Sequence, residues 1–222
     1  MKKIIMIAAL TVAGFGIANA QGYNRIGLSY NNTQYNWGGD ADDDEENFKL
    51  NGFGIDYIHG FRVSRALPMY VELGANVNFN FGNVLNEEEG NYSAKVKMQD
   101  INLQVPVNYT YKFAIADFFS IAPYAGINFK LHLSSRTKAE YKEHGVKGET
   151  DWVDLFSKDD MDDDTWNRFQ MGWQIGVNFQ YTKFNVGFQY GTDFIPAYSY
   201  KEDGYKERLN TGNLKITLGY VF

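Results

Sequence analysis

Between residues 69 and 82 the chain alternates without a break. Met69, Val71, Leu73, Ala75, Val77, Phe79 and Phe81 are apolar, and Tyr70, Glu72, Gly74, Asn76, Asn78, Asn80 and Gly82 lie between them. Residues 168–181 repeat the pattern. Phe169, Met171, Trp173, Ile175, Val177, Phe179 and Tyr181 share one parity, and Arg168, Gln170, Gly172, Gln174, Gly176, Asn178 and Gln180 share the other. Side chains on a strand point alternately to opposite faces, so each segment predicts a strand with one apolar and one polar face.

The same reading places further strands at residues 24–36, 49–61, 95–113, 119–133, 184–192 and 213–222, giving eight in all. The connections alternate in length. Short ones fall at 62–68, 114–118 and 182–183. Long ones fall at 37–48, 83–94, 134–167 and 193–212. Short turns at one rim and long loops at the other are the habit of barrels that cross an outer membrane. The expected fold is therefore all-β, an eight-stranded antiparallel up-and-down transmembrane β-barrel, with both termini on the periplasmic side.

A soluble barrel would also alternate, with its apolar face turned inward. Here that face carries Phe, Tyr, Trp, Leu and Ile on almost every strand, too bulky a set for an eight-stranded interior. The other face is mostly Gly, Asn, Gln and Thr, which suits a crowded, hydrogen-bonded interior. Aromatics gather near the strand ends. Tyr57, Phe61, Tyr109, Tyr111, Phe113, Phe119, Tyr181, Phe184, Tyr220 and Phe222 lie toward the turns, and Phe79, Phe81, Phe129, Phe169 and Tyr190 toward the loops. Two such bands match interfacial girdles.

The first twenty residues read as a cleaved signal peptide. Lys2 and Lys3 precede an uncharged apolar run from Ile4 to Ile17, and Ala18-Asn19-Ala20 has the small-x-small form of a cleavage site. Residues 21–222 then form the barrel domain, and export to the outer membrane of a Gram-negative bacterium follows. No other stretch reaches the length of a membrane helix. The chain has no cysteine, which excludes disulfides and thiolate metal sites. Its net charge is −6, so nucleic acid is not an expected partner.

The chain closes on Leu218-Gly219-Tyr220-Val221-Phe222. A terminal Phe after alternating apolar residues resembles the signal by which the barrel assembly machinery recognises its substrates, with Tyr220 and Phe222 as its apolar positions. Residues 101–109, Ile-Asn-Leu-Gln-Val-Pro-Val-Asn-Tyr, resemble a strand of the outer membrane β-barrel domain family common in Bacteroidetes, the PorT-like group. Residues 121–126 resemble that family's next strand. The resemblance implies a fold and a location; the family has no single activity.

On the polar parity stand Arg25, Asp56, Glu72, Asp100, Lys112, Lys130, His132, Arg168 and Lys215. An isolated buried charge is very costly, so such groups are expected to pair. The expected interior is a salt-bridged plug, as in small OmpA- or OmpX-like barrels. A narrow porin-like channel is the alternative. Pro106, on the same face, predicts a bulge or a break in pairing. A lipid-modifying enzyme would want His, Ser and Asp at the outer rim, where His132, Ser134 and Ser135 offer some of the parts; the expectation is no enzyme and no cofactor. The loops hold acidic runs at Asp40 to Glu46, Glu87 to Glu89 and Asp159 to Asp164. Asp42, Asp43, Asp44, Asp162, Asp163 and Asp164 are weak candidates for Ca²⁺, against a solvated loop surface. Loop aromatics such as Trp152, Phe156 and Trp166, with Leu155 beside them, either form a partner site or are buried by strands that extend past the membrane. The expected role is structural or surface interaction by a monomer, with membrane lipid, the assembly machinery and an unidentified extracellular partner as its contacts.

Overall fold

The computed structural model describes residues 22–39, 47–90, 92–157, 166–202 and 205–222. Twelve strands follow one another: β1 Tyr23–Gly39, β2 Phe48–Arg62, β3 Met69–Glu89, β4 Tyr92–Tyr111, β5 Phe113–Ala116, β6 Phe119–Glu143, β7 Val146–Glu149, β8 Val153–Asp154, β9 Phe169–Tyr181, β10 Phe184–Asp193, β11 Tyr198–Glu202 and β12 Tyr205–Val221. Among the described residues there is no helix. The signal-peptide reading of residues 1–20 falls outside the described residues.

Eight of the strands form a ring in the order β1-β2-β3-β4-β6-β9-β10-β12, and β12 pairs with β1 to close it. The closing ladder runs from Arg25 opposite Val221 to Gly39 opposite Glu207. Every pairing is antiparallel between neighbours around the ring. Closure removes the exposed edges that an open sheet would leave in lipid.

The two faces sort as their parity predicts. Leu28 is 67% exposed, Phe184 66% and Leu218 63%, whereas Asn31, Asn78, Glu72 and Gln170 are buried. A large apolar face left outside a polar interior is the inverse of a soluble barrel, and it fits a lipid solvent. The aromatic bands are continuous across strands. Phe184 lies opposite both Tyr181 and Tyr220 near the turns. Phe53 stacks on Phe79 near the loops, with ring centroids 5.5 Å apart.

Three strands overrun their predicted ends by seven residues or more. β3 continues to Glu89, β6 to Glu143, and β12 starts at Tyr205 rather than 213. Much of what the alternation assigns to long loops is paired backbone. Above the lipid no face must be apolar, so the alternation fades while the hydrogen-bonded ladder carries on. Turn geometry ends it: β6 and β7 join through His144 (φ 47°) and Gly145 (φ 89°), both left-handed, as a two-residue hairpin turn requires. The predicted strand 95–113 is split, because β4 stops at Tyr111 and β5 pairs with β6 as a separate short strand.

Pro106 interrupts its ladder. Leu73 pairs with Val107 and Asn76 with Gln104, but the two positions between them are unpaired. Proline has no N–H to donate, and the register resumes unchanged beyond it. Gly74 makes room there: a Cβ on it would lie 2.3 Å from Ile58 Cδ1 and 3.2 Å from Pro106 Cγ.

Candidate functional site in the barrel interior

The strand parity brings four cations, Arg25, Lys112, Lys130 and Lys215, and four carboxylates, Asp56, Glu72, Asp100 and Asp193, to the interior face. They are stacked along the barrel in layers. Nearest the turns, Glu72 accepts from the Tyr23 hydroxyl, lies 3.8 Å from the Arg25 guanidinium and accepts from Asn108 at 3.4 Å. Lys112 donates to Gln180 at 2.7 Å and sits 5.5 Å from the Tyr23 ring. Above, Lys215 Nζ lies 2.6 Å from Asp56 Oδ1. With the Asn76 amide turned so that its oxygen faces Lys215, it bridges the pair: 2.9 Å to Nζ and 3.2 Å from its nitrogen to Asp56.

An amide relay crosses the middle of the barrel. Asn31 donates to Asn78 at 2.9 Å, Asn78 to Asn102 at 3.0 Å, and Asn102 to Asp100 at 2.6 Å. Asp100 is the hub of the next layer. His132 Nδ1 lies 2.5 Å from it, Ser135 donates to it, and Asn80 donates at 3.3 Å. His132 Nε2 lies 2.8 Å from Gln170 Oε1. Lys130 Nζ lies 2.5 Å from Asp193 and 3.3 Å from Gln170. Thr211 donates to Asp193 and accepts from Gln170 at 3.1 Å.

Above this layer lies a small apolar core. Tyr35, Phe48, Leu50, Met98, Leu155, Ala197 and Leu209 are buried together, with Trp37, Val84, Trp166 and Tyr198 packed against them. Tyr35, Leu50, Met98 and Leu209 come from ring strands, and Leu155, Trp166 and Ala197 from the connections folded over the mouth. Tyr35 stacks on Phe48 at 4.6 Å. Leu155 is held by its backbone N–H to the Ser135 carbonyl at 2.9 Å, and Ala197 by its own to Leu209 at 2.8 Å. The interior is thus mainly polar through the lipid-facing length, with Ile58, Pro106 and Ala122 as apolar positions, and apolar at the loop rim.

Of the residues expected on the interior face, Arg25, Asp56, Glu72, Asp100, Lys112, Lys130, His132 and Lys215 enter these layers. Arg168 does not. It precedes β9, is exposed, and its guanidinium lies 4.6 Å from the Phe156 ring. Its parity is right, but it stands above the ring, where the cap gives it a ring to stack on in place of a carboxylate. Asp193 is the charged interior residue the pattern missed, one position past the predicted end of its strand at 192. His59 lies on the outer face, 2.7 Å from Asn24. Trp152 packs near Arg136, 5.4 Å away, and Leu155 belongs to the cap.

The serine and histidine at the rim do not form a nucleophile–base pair. Ser135 gives its hydroxyl to Asp100, and both ring nitrogens of His132 face Asp100 and Gln170. Ser134 sits opposite Ile101 on the outer face. The cation candidates Asp42, Asp43, Asp44, Asp162, Asp163 and Asp164 lie outside the described residues. Among the described residues no cluster of three or more His, Asp or Glu is arranged to hold a metal. At the chain end, Tyr220 and Phe222 are both exposed on the outer face and stack at 6.5 Å.

A family model described as outer membrane protein beta-barrel domain matches residues 19–196. The chain belongs to this family. No curated protein matches in sequence. Among solved structures the chain is similar to Ail, the attachment invasion locus protein of Yersinia pestis, at 15% identity, covering 90% of this chain and 99% of that one with a TM-score of 0.35. It is also similar to Neisserial surface protein A, at 12% identity over 90% and 96% of the two chains, TM-score 0.36. A major outer membrane protein from Thermus thermophilus aligns at 13% identity over 89% and 99%, TM-score 0.37. The family member described here is an outer-membrane β-barrel of eight ring strands.

Proposed function

We propose that this barrel is a closed, non-conducting and non-enzymatic surface protein, acting through the hairpins that rise from its loop rim. One observation carries the reading: the apolar core of Tyr35, Leu50, Met98, Leu155, Ala197 and Leu209 shuts the mouth over a charge-balanced interior. A conduit for ions or solutes would keep its polar lining continuous to both rims, and this interior changes to hydrocarbon at one of them. An active centre needs an accessible nucleophile, and Ser135 is 1% exposed and committed to Asp100.

In this reading residues 1–20 are removed on export, Tyr220 and Phe222 form the recognition end for the assembly machinery, and the long hairpins face the cell exterior. The acidic runs give those hairpins a strongly solvated surface. The chain contains no cysteine, so single labels can be placed at will. His144→Cys at the β6–β7 turn reacts with a membrane-impermeant thiol reagent on intact cells. Arg65→Cys in the β2–β3 turn reacts only after lysis. The opposite pattern overturns the orientation. Proteoliposomes carrying the refolded protein exclude small sugars as protein-free vesicles do, and sugar entry overturns the closed reading.

A further inference from the structure

The hairpins above the apolar belt carry a second site on their outer side. β4 and β6 remain paired well past the last lipid-facing residues, Ile101 and Leu133, with β3 on one flank and β7 on the other. Residues opposite each other share a face, so Lys95 with Glu140, Lys97 with Lys138, Gln99 with Arg136, and Lys142 with Lys147 stand on the face continuous with Ile101. In a chain of net charge −6 this sector is basic. Glu140 is committed to Lys97 at 2.5 Å, and Glu149 to Lys138 at 2.8 Å. The hydrogen bond from Lys97, together with the charges of Lys138 and Lys95, holds the Glu140 carboxyl below its ordinary range. Among the described residues, Lys95, Lys142 and Lys147 have no carboxylate within ion-pair distance, and Glu88 is the remaining acid at the groove.

Those three lysines line one concavity of about 410 Å³, which also offers the Asn86 amide and the Ser93 hydroxyl on the same face. This volume lies within the range of small-ligand sites. Ammonium groups recognise phosphate, whereas amides and hydroxyls recognise the hydroxyls of a sugar. Height selects between phosphate sources. A strand rises roughly 3.3 Å per residue and tilts about 40°, so Lys97, Lys95 and Lys142 stand roughly 10, 15 and 20 Å above the belt. The headgroup layer of a simple glycerophospholipid adds only about 5–7 Å to the hydrocarbon. The upper lysines therefore stand beyond it.

We propose that the groove between β4, β6 and β7 binds the phosphorylated saccharide head of an outer-leaflet glycolipid, with Lys95, Lys142 and Lys147 taking its phosphates and Asn86 and Ser93 its sugar hydroxyls. The inference rests on the surface orientation proposed above. The site is continuous with the lipid-facing wall, so a glycolipid whose acyl chains lie on Ile101, Leu103 and Leu131 reaches it without leaving the membrane.

The test uses full-length protein refolded in zwitterionic micelles, its fold verified by altered gel mobility before and after boiling. Fluorescent lipopolysaccharide is titrated and followed by anisotropy. Saturable binding that weakens with salt is expected. Lys95→Gln/Lys142→Gln/Lys147→Gln should lower affinity by about tenfold or more, while Lys201→Gln/Lys206→Gln on the β11–β12 hairpin should leave it unchanged. Dephosphorylated lipopolysaccharide should bind weakly, and phosphatidylglycerol at equal phosphate should fail to compete. The groove is refuted if the folded wild type does not bind, if the triple variant binds like wild type, if dephosphorylation has no effect, or if phosphatidylglycerol competes equally. A reversed thiol-labelling pattern instead removes the orientation on which the site depends, so the two failures are told apart.

Discussion

Removing Asp56 tests whether the interior is held by paired charge. Lys215 is 3% exposed at its side chain and Asp56 7%. The two are 159 residues apart in the chain, so their contact joins β2 to β12 across the closing seam of the ring. In Asp56→Ala, Lys215 keeps only the Asn76 amide oxygen at 2.9 Å. An ammonium ion left without its counter-charge in a buried site costs about 3–5 kcal/mol. Removing both partners in Asp56→Ala/Lys215→Met leaves no orphan charge, and should recover most of that loss, because an apolar replacement of a buried pair is often close to neutral. Urea unfolding of the three proteins in micelles, followed by tryptophan fluorescence and by gel mobility, gives the two free energies. An Asp56→Ala protein within about 1 kcal/mol of wild type, or a double variant less stable than the single one, would refute paired charge as what holds this layer.

Leu209 is completely buried in the cap. Leu209→Ala should cost about 2–5 kcal/mol in the same unfolding assay and expose the connections that carry Leu155 and Ala197 to protease, and an unchanged digestion pattern would argue against the cap. Gly52 leaves no room for a side chain, since a Cβ there would lie 2.1 Å from the Phe79 carbonyl oxygen. Gly52→Val should therefore greatly reduce the yield of folded, heat-modifiable barrel. Above the membrane, Lys97→Gln should raise the Glu140 carboxyl toward its ordinary carboxylate range in an NMR titration, with Lys138 and Lys95 still holding it part of the way down. Because that carboxyl is lowered in the folded chain, the stabilisation from the pair is present above the unfolded value and disappears as pH falls through the folded one. Solvent screening keeps it small.

The lipid-facing half of the fold is legible because bilayer chemistry imposes parity on every spanning residue. Ile26, Leu28 and Tyr30 on β1, and Leu214, Ile216 and Leu218 on β12, alternate with polar residues as any half-buried strand would, and their bulk sets that face outside the narrow ring. The same parity carries Arg25, Asp56, Glu72 and Lys215 to the interior. It does not say who pairs with whom: Lys215 meets Asp56 only because closure of the ring fixes the register of β12 against β1 and of β1 against β2. Asp193 was legible in principle, since Asn185, Gly187, Gln189 and Gly191 already mark its parity. Leu50 and Met98 were a readable sign of the cap, as apolar side chains on the polar parity near the loop rim. Leu155 and Ala197 carried no such sign, because their burial depends on connections that fold back over the mouth. The extensions of β3 and β6 were hidden for a different reason. Beyond Val84 and Ser135 neither face must be apolar, and the left-handed positions at Gly90 and at His144-Gly145 mark where the paired backbone turns.

The proposed closure of the interior by the apolar cap makes a direct electrical prediction. Pure refolded protein added to a planar lipid bilayer should insert and leave the membrane at its baseline conductance. Steady, ion-selective openings from the same heat-modifiable protein would show a continuous aqueous path past Asp100, His132 and the Tyr35–Leu209 cap, and would contradict the closed barrel.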